Sequence, residues 1–194
     1  MAENGNKVPL FVICGPTASG KTALGVDIAL RFNGEIISAD SRQVYRGLDI
    51  GTGKDRDEYV RPEGKVPCHM IDIADPGETY SLYCYMADFY PVLFDIKSRG
   101  RLPVIVGGTG LYIEAVLKGY EVPAVPENEK LRSGLMTLEQ RELEEKLMAL
   151  DPHRYAVTDL SSKKRIVRSL EIALSGTCNP NPAERPALCP LVMA

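Results

Sequence analysis

Apolar residues fall in two rhythms along this chain, and the rhythm changes near residue 120. Before that point, short and nearly continuous apolar runs alternate with longer stretches in which apolar positions recur every three or four residues. Residues 8–14 (V-P-L-F-V-I-C), 35–39 (E-I-I-S-A) and 102–106 (L-P-V-I-V) read as buried strands, and 70–73 (M-I-D-I) as a weaker one. Residues 23–32, 80–99 and 111–118 read as helices. Pro91 is placed to kink or divide the second, and Gly119 to stop the third. Strands alternating with helices predict an α/β fold, with a parallel sheet joined by right-handed crossovers and flanked by helices.

The later rhythm is helical. P-A-V-P at 123–126 marks a turn or linker, and 138–150 carries apolar positions at Leu143, Leu147 and Leu150. Asp151-Pro152 either ends that helix or opens the next. Ser161 or Ser162 is placed to cap a helix over 163–174 that Gly176 ends. The last 18 residues hold four prolines and neither period. The expected organisation is therefore an α/β core over 1–120, a small helical region over 121–176 whose basic helix rejoins the core, and an irregular Pro-rich tail over 177–194.

Bulk properties narrow the field only a little. A chain of 194 residues, 44% hydrophobic and 25% charged, is ordinary globular material with room for a sizeable core. A net charge of −3 does not advertise nucleic-acid binding, although a local basic patch is compatible with it. The five cysteines have no C-x-x-C pair, which predicts neither a zinc site nor a disulfide framework. With no secretory leader pattern and no long apolar span, the expectation is a cytoplasmic protein without membrane contact.

The candidate chemistry starts at Gly15, where Gly15, Pro16, Thr17, Ala18, Ser19, Gly20, Lys21 and Thr22 spell G-P-T-A-S-G-K-T. This is the G-x-x-x-x-G-K-[ST] phosphate loop, set between a predicted strand and a predicted helix. Its amides cradle phosphates, its lysine adds a point charge and its last hydroxyl can ligate Mg²⁺. The predicted fold is accordingly that of a P-loop NTPase-like sheet. Asp40 follows the second strand, at the sheet edge that faces the ligand crevice. It could serve there as a functional carboxylate, as the cap of a following helix, or as both. Thr109 could likewise be a functional hydroxyl or a helix N-cap. Lys164, Arg165 and Arg168, with Lys163, could pair with phosphates or form a solvated helix face. The two histidines lack metal-ligand spacing; His69 reads as structural and His153 as surface.

Five blocks together resemble bacterial-type tRNA dimethylallyltransferases, also called tRNA isopentenyltransferases. They are G-P-T-A-S-G-K-T, I-I-S-A-D-S-R-Q-V-Y-R-G-L-D-I-G-T-G-K, V-P-C-H-M-I-D-I, R-L-P-V-I-V-G-G-T-G-L-Y and K-R-I-V-R-S-L-E-I, in the family's order from about residue 8 to 176. The resemblance implies transfer of a dimethylallyl group from dimethylallyl diphosphate to N6 of adenosine 37, next to the anticodon in the tRNA anticodon stem-loop. It implies Mg²⁺ at Thr22, Asp40 as the base, and Lys21 and Thr109 at the reacting groups; a monomer is expected, although the sequence does not give the oligomeric state. It also implies tRNA contacts from Asp40, Ser41, Arg42 and Gln43, and from Lys164, Arg165, Ile166, Val167 and Arg168, where Lys164 stands in place of the family's usual glutamine. These residue types suit the chemistry, because an adenine amine is a weak nucleophile helped by a carboxylate, and a departing diphosphate is helped by cations and amides. Family members continue past Gly176 with a segment that supplies further active-site cations. The resemblance therefore implies a C-terminally short member, truncated or divergent, with its phosphate site intact.

Three other readings compete with this one. An adenylate isopentenyltransferase would use free nucleotides as acceptor. A small-molecule or nucleotide kinase would need an arginine-rich lid, which the sequence does not show, and has an acidic strand end more often than the Gly107-Gly108-Thr109-Gly110 found here. A phosphate-binding module without catalysis is the third.

Overall fold

The computed structural model describes residues 7–54, 56–176 and 185–194. The chain divides into two compact units, Met1–Tyr120 with Ala183–Ala194, and Glu121–Pro182.

The first unit is built on a five-stranded sheet in the order β5-β2-β6-β1-β7. Its members are β1 (Val8–Cys14), β2 (Gly34–Ser38), β5 (Cys68–His69), β6 (Leu102–Gly107) and β7 (Leu188–Met193), and every pairing is parallel. A small antiparallel hairpin, β3 (Val60–Arg61) and β4 (Gly64–Lys65), follows a single 3₁₀ turn at Arg56–Tyr59. The helices are α1 (Lys21–Arg31), α2 (Leu82–Ser98) and α3 (Gly110–Lys118). Alternate strand residues explain the near-continuous apolar runs. Ile13, Ile36, Val104 and Val106 pack in one cluster with Val26 and Ala29 of α1, while Leu10, Val12, Ile37 and Ile105 on the alternate positions are buried as well. A Cβ on Gly25 would stand 2.5 Å from Val106, so the absence of a side chain there is what lets α1 lie close on the sheet.

Three expectations are corrected in this unit. The weak strand over 70–73 is absent; the strand that pairs with β2 is the two-residue β5 just before it. Met70 (φ 66°) and Asp72 (φ 57°) turn the chain away through left-handed backbone. Pro91 sits inside one continuous α2 and does not divide it. The tail is not irregular throughout: residues 188–193 extend the sheet as β7, alongside β1. Pro190 is accommodated because β7 is an edge strand. The earlier part of the tail, 177–184, lies outside the described residues.

The second unit contains α4 (Glu129–Met136), α5 (Gln140–Leu150), α6 (Pro152–Val157) and α7 (Lys163–Ser175). Leu135, Leu143, Leu147, Ile166, Val167 and Leu170 form its core. Asp151 ends α5 and caps α6, accepting from the Arg154 amide at 2.9 Å, so both readings of Asp151-Pro152 hold. Among the described residues no helix is long and apolar enough to cross a membrane.

Candidate active site

The phosphate loop leaves β1 at its carboxyl end and enters α1 through Gly20, whose φ of 78° only glycine adopts cheaply. No side chain caps the helix, so its first amides are left for an anion. Ala18 is also left-handed (φ 61°), a local strain of the kind that collects where a loop wraps a ligand. The Ser19 hydroxyl donates to the Pro16 carbonyl at 2.9 Å, and the Lys21 ammonium folds back onto the same carbonyl.

A cleft of about 90 Å³ brings the loop together with the ends of two other strands. Thr17, Ala18, Lys21 and Thr22 form one side, and Asp40 and Gln43 enter from the turn after β2. Val106, Gly107 and Gly108 close it at the end of β6. A Cβ on Gly107 would meet the Ala39 carbonyl at 2.2 Å, so glycine is required for β2 and β6 to come this near. Of the residues lining the cleft, Asp40 alone bears a carboxylate.

Asp40 does not cap a helix. Its Oδ1 accepts from the Arg42 amide at 2.9 Å in a local turn, and among the described residues no hydrogen bond occupies Oδ2. Thr109 precedes α3 without a side-chain cap bond. Its Oγ1 accepts instead from the Ser41 amide at 2.9 Å and lies 3.3 Å from the Ser41 hydroxyl, while its own amide donates to Ala39 at 3.0 Å. Thr109 thereby ties the Asp40 turn to the end of β6. The Gln43 side chain is occupied by the fold. It accepts from Ser38 Oγ at 2.9 Å and donates to the carbonyls of Thr52 and Gly53 at 3.2 and 3.1 Å. Arg42 and Ser41 are exposed at the rim.

The predicted tRNA-binding helix divides by residue. Ile166 and Val167 lie in the core of the helical unit, which overturns a direct RNA contact for those two. Arg165 is paired with Asp159. Arg168 is paired with Glu171 and donates to the Val125 carbonyl at 2.7 Å. Lys164 is exposed and, among the described residues, has no acceptor.

Several buried charged and polar groups were not singled out from the sequence, although Lys54 and Asp72 lie within blocks that carry the family resemblance. Lys54 is a fully buried ammonium held by Asp72 at 2.6 Å, Asp49 at 3.4 Å and the Tyr45 carbonyl, and it anchors the loop that delivers Thr52 and Gly53. Burial works to raise the Asp72 pKa, but hydrogen bonds from Lys54 and Arg56 outweigh it and hold the carboxyl below its ordinary range. Only the flanking Gly51 and Gly53 hinted at so tight a loop. Tyr59, 6% exposed, also lines the cleft. At the other end of β2, the fully buried Glu35 is held by His69 at 2.6 Å, Arg99, and Arg101 at 3.3 Å.

A phosphate loop at the carboxyl edge of a parallel sheet, facing one carboxylate, defines a P-loop-type α/β protein equipped for a di- or triphosphate. Two family models match the chain: one described as IPP transferase over residues 43–186, and one described as Isopentenyl transferase over residues 8–66. The chain belongs to the IPP transferase family. It is 51% identical over 183 residues to tRNA dimethylallyltransferase 1 of Geotalea uraniireducens, covering 94% of this chain and 59% of the relative. The full-length tRNA isopentenylpyrophosphate transferase of Bacillus halodurans matches in structure with a TM-score of 0.57 at 41% identity, over 90% of this chain and 57% of that one. A eukaryotic dimethylallyltransferase solved acting on tRNA superposes with a TM-score of 0.71 at 24% identity, over 96% of this chain and 48% of that one, a likeness of fold. The chain thus spans about half to three-fifths of the length of the relatives it matches.

Proposed function

We propose that this chain transfers a dimethylallyl group from dimethylallyl diphosphate to N6 of adenosine 37 in a tRNA anticodon stem-loop. The observation that carries the reading is the single cleft shared by Lys21, Thr22 and Asp40. The diphosphate lies on the loop amides and the Lys21 ammonium. The adenine N6 attacks the allylic C1, the bond from C1 to the diphosphate oxygen breaks, and the N6 proton passes to Asp40. Thr109 keeps the Asp40 turn in register with the loop, and Lys21 meets the charge that develops on the leaving oxygen.

Mg²⁺ fits these residues. Among the described residues no group of three acidic, His or Cys side chains could cage a metal. A Mg²⁺ ion, however, takes one or two protein oxygens and completes its shell with substrate phosphates and water, which the Thr22 hydroxyl beside a bound diphosphate allows. When bound, it neutralises charge on the leaving diphosphate. Lys164, with Lys163, whose ammonium among the described residues meets only the Met136 carbonyl, is the part of α7 proposed to face tRNA phosphate, and Arg42 and Ser41 the target nucleoside. The protein is proposed to act as a cytoplasmic monomer.

A kinase reading is disfavoured because the end of β6 contributes only Val106, Gly107 and Gly108 to the cleft, and no carboxylate. The test is incubation with labelled dimethylallyl diphosphate, Mg²⁺ and unmodified tRNA that reads codons starting with U, alongside free AMP and ATP as acceptors. Label is expected in adenosine of the tRNA. Label in free nucleotide instead would mark an adenylate isopentenyltransferase, and phosphoryl transfer from ATP a kinase.

A further inference from the structure

Next to the cleft lies a second, larger cavity of about 370 Å³. Val66, Cys68 and Ile71 with the more exposed Val60 give it an apolar side, Asp57 and Asp72 line it as well, and Arg56 and Lys65 stand at its exposed rim. Among the described residues Tyr59 is the one that lines both spaces. The Tyr59 ring is buried in the α1 cluster with Val66, so it stands as a packed partition between the phosphate site and the space beyond.

We infer that Tyr59 sets the length of the allylic chain that the site accepts. This rests on the reading that the loop holds a prenyl diphosphate. With its diphosphate on the loop, a donor's five-carbon chain ends on the loop's side of the ring, and the longer chain of a ten-carbon donor such as geranyl diphosphate is stopped by it. The space beyond is large enough for the difference: an apolar cavity of roughly 150 Å³ already holds a benzene molecule. Its apolar side is of the right kind, because Val60, Val66 and Ile71 offer the apolar contact that a second isoprene unit needs and a diphosphate does not. Removing the ring would join the two spaces and change specificity without touching the phosphate loop, Asp40 or Thr109.

Calorimetric titration of wild-type, Tyr59→Leu and Tyr59→Ala protein with dimethylallyl and geranyl diphosphate, each with Mg²⁺, tests this. Thermal unfolding of each variant accompanies the titrations. Wild-type protein is expected to bind geranyl diphosphate about tenfold or more weakly than the five-carbon donor, and both variants to close most of that gap. Adding Ile71→Phe to Tyr59→Ala, which refills the cavity, is expected to restore the discrimination. Tyr59→Leu keeps an apolar side chain in the cluster and carries the test if Tyr59→Ala unfolds. The inference is overturned if wild-type protein binds both donors alike, or if a folded variant binds dimethylallyl diphosphate and still rejects geranyl diphosphate. Failure of wild-type protein to bind dimethylallyl diphosphate would instead overturn the donor reading beneath it.

Discussion

The α/β unit and the helical unit dispose of their polar groups and backbone strain in different ways. In the α/β unit, some left-handed residues stand beside the chemistry, Gly15, Ala18 and Gly20 in the phosphate loop and Gly51 and Gly53 in the loop that Lys54 anchors, while others such as Asn33, Met70 and Gly119 turn the chain elsewhere. One oxygen of Asp40 is left without a partner among the described residues. In the helical unit, the one described residue with left-handed backbone is Gly176, which merely ends α7. Its charges are largely spent internally. Glu171, 2% exposed, takes the Asn128 amide and the guanidinium groups of Arg132 and Arg168, and Arg165 is bound to Asp159. Both units bury charge networks that hold them together, at Glu35 and Lys54 in the first and at Glu171 in the second, but only in the first does a cleft carboxylate, Asp40, keep an oxygen unpaired among the described residues. A run of basic residues is thus weak evidence of a binding surface until its acceptors are known.

Lys21→Ala should produce the largest loss. It removes the cation expected to stabilise the departing diphosphate, and transfer should fall about 10²–10³-fold in single-turnover assays with little change in thermal unfolding. A comparable drop in unfolding temperature would show that Lys21 is structural after all.

Glu171→Gln should be next, and in stability. Burial pushes the Glu171 carboxyl up, but the Arg132, Asn128 and Arg168 hydrogen bonds outweigh it and hold the pKa below its ordinary 4.5. A depressed carboxylate contributes stability above its unfolded pKa, and that contribution is lost as pH falls through the folded value. The variant should cost about 3 kcal/mol near neutral pH, and the gap to wild type should narrow progressively below pH 4.5. Denaturant unfolding across that range reads it; a gap independent of pH would remove the charged network from the account.

Lys164→Ala should have the smallest effect. Exposed and without an acceptor among the described residues, it should leave stability unchanged within about 0.5 kcal/mol. In a salt titration of tRNA binding, losing one phosphate contact should lower the slope by about one. An unchanged slope would make α7 a solvated face.

Much of the α/β unit was legible because its information is local. A phosphate loop between an apolar run and an amphipathic one needs no tertiary knowledge, and the Gly119 stop follows from backbone freedom, as does the Gly176 stop in the helical unit. Other features depend on what surrounds a residue. α4, E-K-L-R-S-G-L-M, offers only the single i, i+4 pair Leu131 and Leu135 to mark it as a helix, and both pack on the core of α5 and α7. β7 was hidden by Pro190 and the prolines that precede it, and an edge position tolerates Pro190. β5 was displaced because apolar Met70 and Ile71 look like strand, although the left-handed turn at Met70 ends it. Buried Glu35, Lys54 and Glu171 look like ordinary surface charges until their partners, distant in sequence, are brought to them. Asp40 and Thr109 were legible as candidates, but their bond through Ser41 was not.

Asp40→Asn tests most directly the claim that the loop and the carboxylate form one site with divided roles. Donor affinity and single-turnover transfer to tRNA would be measured on the same preparation. The account predicts dimethylallyl diphosphate binding within about twofold of wild type and transfer slowed by about 10²–10⁴-fold, as expected for losing a general base. Transfer at the wild-type rate, or loss of donor binding along with it, would contradict the account.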